Sequence, residues 1–466
     1  MQVRASANAG IEERSQAAEL DLNASRQSDP PAPAKPSPWA PFLWPDFRHL
    51  FISNACATFA GRALAVVLGY QVYALTNSPL ALGGLGLVEA IPAISLALYG
   101  GHIADRRDRR LILRATLAAL AICAGVLAAL EYSDTGGAQL VFLFGVVFIA
   151  GIARGFAEPA AGALEAQVVP RELLINSSTL MASCWLVGAV AGPLAAGVAF
   201  EAFGAAATFL GIALVYLLAW VAILRVAQRP IPAAPPGESV WESVTTGVRH
   251  VLGDQVLLGS MALDLFAVLF GGAIALLPVF ARDILHVGKF GLGVLNAAPT
   301  TGALVTMLWA TRHPPVKHAG RNLFLSVAAF GVAMIVFAVS TSMILSVAML
   351  FLSGVFDGVS VIIRRSIVRL LSPEHLRGRI ASVGMIFIGS SNELGALESG
   401  VAASLLGTVP SVLAGGVVTL FVVAAAAALA PKLRRLSLDP RTVVQRDRDA
   451  DQILDEPEEG APAAAE

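Results

Sequence analysis

Residues 80–110 read LALGGLGLVEAIPAISLALYGGHIADRRDRR. From Leu80 to Ile103 the stretch carries one charged side chain, Glu89, and then four arginines and two aspartates crowd into residues 105–110. An apolar run of that length is what a helix needs to cross a hydrocarbon core of roughly 30 Å. A cluster of arginines directly behind it is the kind of stop that stays on the cytoplasmic side.

The rest of the chain repeats this pattern. Of its 466 residues 56% are hydrophobic and 14% charged, with a mean hydropathy of +0.71, whereas an ordinary soluble domain is about 25% charged. Lipid offers the backbone no hydrogen-bond partner, so each apolar block must be helical. The short alternating segments of a β-barrel are absent. The reading is an all-α membrane protein with twelve transmembrane helices in two pseudo-symmetric six-helix bundles. The spans fall at 48–75, 80–103, 111–130, 138–157, 178–200 and 205–225, then at 256–281, 291–310, 322–340, 343–363, 380–405 and 410–430. Residues 1–45 form a disordered cytoplasmic tail, 46–225 the N-terminal bundle, 226–255 a Pro-rich cytoplasmic linker, 256–430 the C-terminal bundle and 431–466 a second cytoplasmic tail. In the linker Val240, Val244, Val248 and Val251 recur at helical spacing. They suggest a short amphipathic helix that lies on the membrane or packs on the protein.

Charge fixes the orientation. Six alternate connecting segments hold nineteen Lys or Arg, and the opposite six hold two, Arg282 and Lys289. The bias places both termini in the cytoplasm of a bacterial cell, the chain being multi-pass in the inner membrane. A net charge of −1 gives no basic field for nucleic acid. Cys56, Cys123 and Cys184 lie inside apolar blocks without CxxC spacing and read as small buried hydrophobes. No apolar leader precedes the first span, which excludes a secretory signal on this reading.

The two halves share a register. A shift of 203 places Gly151 on Gly354, Gly155 on Gly358, Pro170 on Pro373, Leu173 on Leu376, Gly192 on Gly395, Gly197 on Gly400 and Gly204 on Gly407. A shift of 207 matches Gly84, Gly86 and Pro92 with Gly291, Gly293 and Pro299. Halves of six spans each have the same orientation, so these are parallel repeats about an axis along the membrane normal.

Within residues 101–110, Gly101, Asp105, Arg106, Arg109 and Arg110 resemble the cytoplasmic signature G-x-x-x-D-R-x-x-R-R/K of the major facilitator superfamily. Gly101 would let two backbones approach, Asp105 would face a helix N-terminus or an arginine, and Arg154, Gly378 and Arg379 are the expected partners. The corresponding loop of the second half, Thr311 to Pro315, lacks the pattern. Gly188, Gly192, Pro193 and Gly197 resemble the fifth-helix motif of that superfamily's drug/proton antiporters, except that Val198 replaces its last glycine. Ordinary small-residue helix packing accounts for the same residues equally well. The seventh span, Leu263 to Pro278, and the loop Leu371 to Arg379 resemble a bacterial exporter group that includes the enterobactin exporter. The resemblance covers roughly residues 46–430 and implies a proton-driven exporter, with a siderophore as one candidate substrate.

Ionisable groups at membrane depth are costly and mark pathways by default. Five inside the spans are singled out as pathway candidates: Arg62, Glu89, Asp264, Glu393 and Glu398. Arg62 and Glu393, from opposite halves, could face each other across a central cavity. Asp264 and Glu393 are the preferred proton carriers, with Arg62 as counter-charge or anion contact; a fixed ion pair between helices is the competing role for each. No Walker loop, G-x-S-x-G elbow or H-E-x-x-H helix occurs, so no catalytic, cofactor or metal site is expected. The expected function is export of a small siderophore-like or drug-like molecule by alternating access, with protons as coupling ion, by a monomer in the lipid bilayer. An importer or lipid transporter of the same fold, or a transport-inactive sensor or scaffold, are the alternatives.

Overall fold

The computed structural model describes residues 37–133, 138–229, 240–315, 317–373 and 376–438. The expected tails lie outside these residues, except for 37–45 and 431–438, and so do residues 230–239 of the Pro-rich linker. Helices follow one another with little between them: α1 (Pro45–Thr76), α2 (Pro79–Arg106), α3 (Arg109–Leu130) and α4 (Gln139–Val168). Ten stretches of the described residues are long and apolar enough to cross a bilayer. One of them, Arg171–Leu224, breaks at Gly204 and supplies two helices, α5 (174–203) and α6 (205–224). The second half holds α7 (Gln255–Ile284), α8 (Gly288–Ala310), α9 (Ala319–Val339), α10 (Met343–Leu371), α11 (Arg377–Leu406) and α12 (Thr408–Leu429). With α11, a further 30-residue helix, the arrangement is consistent with twelve crossings.

Local chemistry sets the ends. Pro45 and Pro79 stand in the first turns of α1 and α2, where a missing N–H costs nothing. Asp254 caps the start of α7 by accepting from the amides of Val256 and Leu257 at 2.7 and 2.9 Å. α7 unwinds past Gly271 into a 3-10 turn, one α turn and a π turn before it ends at Ile284. Gly204 (φ 78°, ψ 179°) separates α5 from α6, and its repeat mate Gly407 (φ 91°, ψ 156°) separates α11 from α12. A side chain strongly disfavours that backbone conformation, so both halves kept glycine at the joint.

Two helices depart from the sequence expectation in the same way. α4 continues to Val168 rather than ending at 157, and α10 continues to Leu371 rather than 363. Their ends, 203 residues apart, match to within the register of the repeat. At about 1.5 Å per residue, helices of 30 and 29 residues reach ~45 Å, beyond the hydrocarbon and into the arginine-rich side.

The halves touch through small residues at the end away from the arginine-rich loops. There α2 packs on α11, and the start of α8 packs on the end of α5. A Cβ on Gly197 would stand 3.1 Å from the Gly293 Cα, and one on its mate Gly400 would stand 2.9 Å from the Gly83 Cα. At the same end Tyr73 of α1 donates its hydroxyl to Asp283 of α7, and Glu201 accepts from the Lys289 amide at 3.1 Å. Toward the other end, Gly101 of α2 and Gly389 of α11 have nothing within 4 Å of where a Cβ would stand. The helix Val240–Gly253 packs on α7 and α11 with Val251 buried, which favours the protein-packing reading of the linker. The Val240 and Val244 side chains lie outside the described residues.

Gly204→Ala and Gly407→Ala should each lower thermal stability by about 1–3 kcal/mol, the cost of a side chain in this backbone region. Gly211→Ala, at a helical residue with nothing within 4 Å, should be neutral or stabilising. Thermal unfolding of the detergent-solubilised protein, followed by size-exclusion chromatography, distinguishes the two classes.

Candidate functional site

Ionisable side chains midway along the spanning helices form two groups, one in each half. In the first, Arg154 of α4 pairs with Glu89 of α2 at 2.5 Å. Two backbones make room for that pair. Gly61 of α1 leaves space 3.1 Å from an Arg154 Nη, and Tyr216 of α6 brings its hydroxyl within 3.3 Å of the same point. Gly151 abuts the Glu89 carbonyl, which fixes the height of α2 against α4. Arg154 was expected to partner the Asp105 loop. The structure corrects this, because α4 is longer than expected and puts residue 154 at its centre.

Arg62 and Glu393, which could face each other across a cavity, are within electrostatic reach of one another but make no ion pair within 4.0 Å among the described residues. The Arg62 guanidinium lies 4.9 Å from the centroid of the Trp185 ring on α5, a cation–π contact. Among the described residues it makes no ion pair within 4.0 Å, although Glu89, Glu158, Glu393 and Arg154 are within electrostatic reach. Glu393 sits in the α2–α11 seam, with Oε2 3.2 Å from where a Gly86 Cβ would stand. It is thus a side chain of the second half lodged against a backbone of the first, one helical turn from Glu89. Glu398 lies half-buried on the same helix, nearer the closed end.

The second group sits between α7 and α10. Asp264 is in direct contact with Arg364, both side chains being about nine-tenths buried, and Asp357 is 3.8 Å from the same guanidinium. Asp264 was foreseen, but Asp357 and Arg364 were not, because Arg364 falls just past the expected end of the tenth span and Asp357 was passed over inside it. The repeat contained a signal: the shift of 203 places Arg154 on Asp357. The two halves therefore carry charges of opposite sign at one equivalent position. Glu158 and Trp185 also escaped the sequence reading, the first because it lies one residue beyond the expected fourth span.

The arginine-rich loop works through backbone carbonyls. Arg109 is buried and donates to the Ala104 carbonyl at 2.9 Å and to that of Ala163 on α4 at 3.0 Å. Arg110 donates to the Val226 carbonyl at 2.9 Å, and Arg114 to that of Leu224 at 2.8 Å, both at the C-terminal end of α6. Cations at helix C-termini complement orphan carbonyls and the helix dipole. Asp108 caps α3 and pairs with Arg110 at 2.9 Å, whose hydrogen bonds hold the Asp108 carboxyl below the usual carboxylate range. Arg106 is exposed. Gly101 is not a close-approach position. That role belongs to Gly100, whose missing Cβ leaves 2.5 Å to the Gly155 carbonyl. The side chains of Asp105, Gly378 and Arg379 lie outside the described residues.

The small residues of α5 divide by height. Cβ atoms on Gly188 and Gly192 would stand 2.9 Å from Thr58 and 2.7 Å from the Phe59 carbonyl, so this part of the stripe seats α1. Pro193 and Gly197 instead meet Gly293 of α8 across the halves. One motif thus serves packing within a half and contact between halves.

A family model described as transmembrane secretion effector matches residues 36–456. The chain is 23% identical over 409 residues to the enterobactin exporter EntS of Shigella boydii and 24% identical to that of Shigella flexneri. The alignments cover 86% of this chain and 96% of each relative. Among solved structures, it resembles a bacterial homolog of the human lysosomal transporter Spinster, in an inward-facing and unoccupied conformation (TM-score 0.66, 14% identity, 84% of this chain and 96% of that one). The nucleoside transporter NupG also superposes (TM-score 0.64, 13% identity, 82% of this chain and 99% of that one).

Removing one partner of a buried ion pair leaves the other charge uncompensated, at about 3–5 kcal/mol. Asp264→Asn and Arg364→Gln should each destabilise the protein by that order, and the double variant by less than either. Thermal melts of the three variants in detergent measure the coupling.

Proposed function

The chain belongs to the transmembrane secretion effector family of major facilitator transporters, and on that footing we propose that it exports a small siderophore-like or drug-like molecule by alternating access, in exchange for protons. One observation carries this reading. Among the described residues the glycine contacts and hydrogen bonds named above between the halves lie at one end, and arginines and carboxylates from both halves come together further along the bundle. With the arginine-rich loops in the cytoplasm and the protein in the inner membrane, the unjoined end is the one from which an exporter loads. Arg62, Glu89, Glu393, Glu398 and Asp264 then line the route of substrate and protons. Arg62 with Trp185 offers a cation and a π face, and Glu393 is the carboxylate that the seam releases when the halves separate. The similarity to enterobactin exporters supports the outward direction of transport.

The same seam supplies a test of the cycle. Where a Gly86 Cβ would stand is 3.4 Å from the Ala396 Cβ, close to the spacing a disulfide requires. The double variant Gly86→Cys/Ala396→Cys should lose transport under oxidation and regain it on reduction, as measured in everted vesicles. Substrate for that assay comes from comparing the medium of wild-type and deletion strains. Accumulation in the vesicles should collapse on adding a protonophore. Uptake by whole cells, or flux indifferent to the cross-link, overturns the proposal.

A further inference from the structure

The second charged group is centred on a single guanidinium. Arg364 is in contact with Asp264, while Asp357 approaches it no closer than 3.8 Å. One guanidinium can neutralise one carboxylate, and Asp264 engages it, so Asp357, whose side chain is 46% exposed, is left without its own counter-charge. A carboxylate without its own counter-charge inside a membrane bundle calls for a cation. The groups packed around Asp357 do not supply one. α8 contributes Pro299 and Thr306 against Gly354 and Gly358, and α9 contributes Ser326, Val327 and Phe330. The charged residues facing this region among those described are Asp264 and Arg364, with the exposed Arg365 one position further along α10.

A separate observation points to a ligand at the same place. Asp264, Asp357, Ser326 and Ser360 line a cavity of ≈ 20 Å³, room for about one water-sized body and for no organic substrate. Ser360 is 3% exposed, and its Oγ is buried without a hydrogen-bond partner. A buried hydroxyl left unsatisfied costs about 1–3 kcal/mol. Ser360 lies one turn from Asp357 on one side and one turn from Arg364 on the other, and Arg364 Nε reaches its carbonyl at 3.4 Å. Two carboxylates and a free hydroxyl face a water-sized space otherwise walled mostly by apolar side chains, which leaves those oxygens as its ligands for a small cation.

We propose that this cavity between α7, α9 and α10 binds one monovalent cation, a proton or a sodium ion, on Asp357 with Ser360 as supporting ligand. Asp264 then serves as the fixed partner of Arg364, and the exchangeable charge rests on Asp357. The assignment of that cation as the coupling ion rests on the exporter reading above, but its binding does not.

The test uses the full-length protein reconstituted in liposomes without transported substrate, so a protein that never transports would still answer. Infrared difference spectra across a pH titration report the protonated-carboxyl band, and radioactive sodium reports the metal ion. A band present in the wild type, missing in Asp357→Asn and indifferent to sodium identifies a proton site. Sodium bound by the wild type and lost in Asp357→Asn identifies a sodium site. Ser360→Ala, a small change that keeps the triad, should shift the titration midpoint by about one pH unit or weaken sodium binding about tenfold, as expected for one lost hydrogen bond to a charged group. It decides the matter alone if Asp357→Asn does not reconstitute. The proposal falls if the reconstituted variants titrate and bind sodium as the wild type does.

Discussion

A charge placed among lipid tails must find a partner, and that requirement organises this molecule more than any other. Hydrocarbon offers no competing solvation, so Arg154 must meet Glu89 and Arg364 must meet Asp264 before the helices bearing them can settle. Each pairing sets the relative height and rotation of two helices. Packing then adapts to those heights: Gly151 lets the α4 backbone close on the Glu89 carbonyl, and Gly61 lies beside the Arg154 guanidinium. Hydrophobicity fills the spans, but it cannot distinguish one rotation of a uniformly apolar rod from another.

Duplication explains both the likeness and the difference of the halves. Gly197 and Gly400 each meet the opposite half, and Gly204 and Gly407 each break a helix pair with positive φ. Backbone geometry of this kind admits few alternatives, so it survives divergence. Charge is freer. Position 154 holds arginine and its mate 357 holds aspartate; Arg154 pairs with Glu89 on another helix, whereas Asp357 lies 3.8 Å from Arg364, two turns along its own helix, which Asp264 already engages. The result is a shared scaffold with two electrically distinct interiors.

The fold was legible in residues 80–110 and their counterparts because lipid imposes length, apolarity and charge bias together. The repeat was legible because glycine and proline mark backbone events that side-chain drift cannot erase. The site was only partly so. Arg62, Glu89, Asp264, Glu393 and Glu398 stood out as charges in apolar runs, but Asp357 and Arg364 beside Asp264 did not. Hydropathy ends a span where polar residues begin, and α4 and α10 instead carry their polar residues well into the bundle, so Glu158 and Arg364 were counted as loop. Direction within a helix also escaped the sequence: Gly100 and Gly101 are equivalent on paper, yet only one faces α4.

The C-terminal bundle, whose α8–α9 loop lacks the arginine pattern, is bound at the same end by the chain beyond α12. Leu433, Leu436 and Leu438 are buried there, the Gly320 amide donates to the Leu436 carbonyl at 3.0 Å, and the Ser437 hydroxyl donates to the Lys317 carbonyl at 2.8 Å. Residues 431–438 are therefore a strut of the bundle rather than the beginning of a tail. Fluorescent fusions and purification handles belong beyond Leu438, and a truncation that trims back to the last membrane helix removes a structural member along with the overhang.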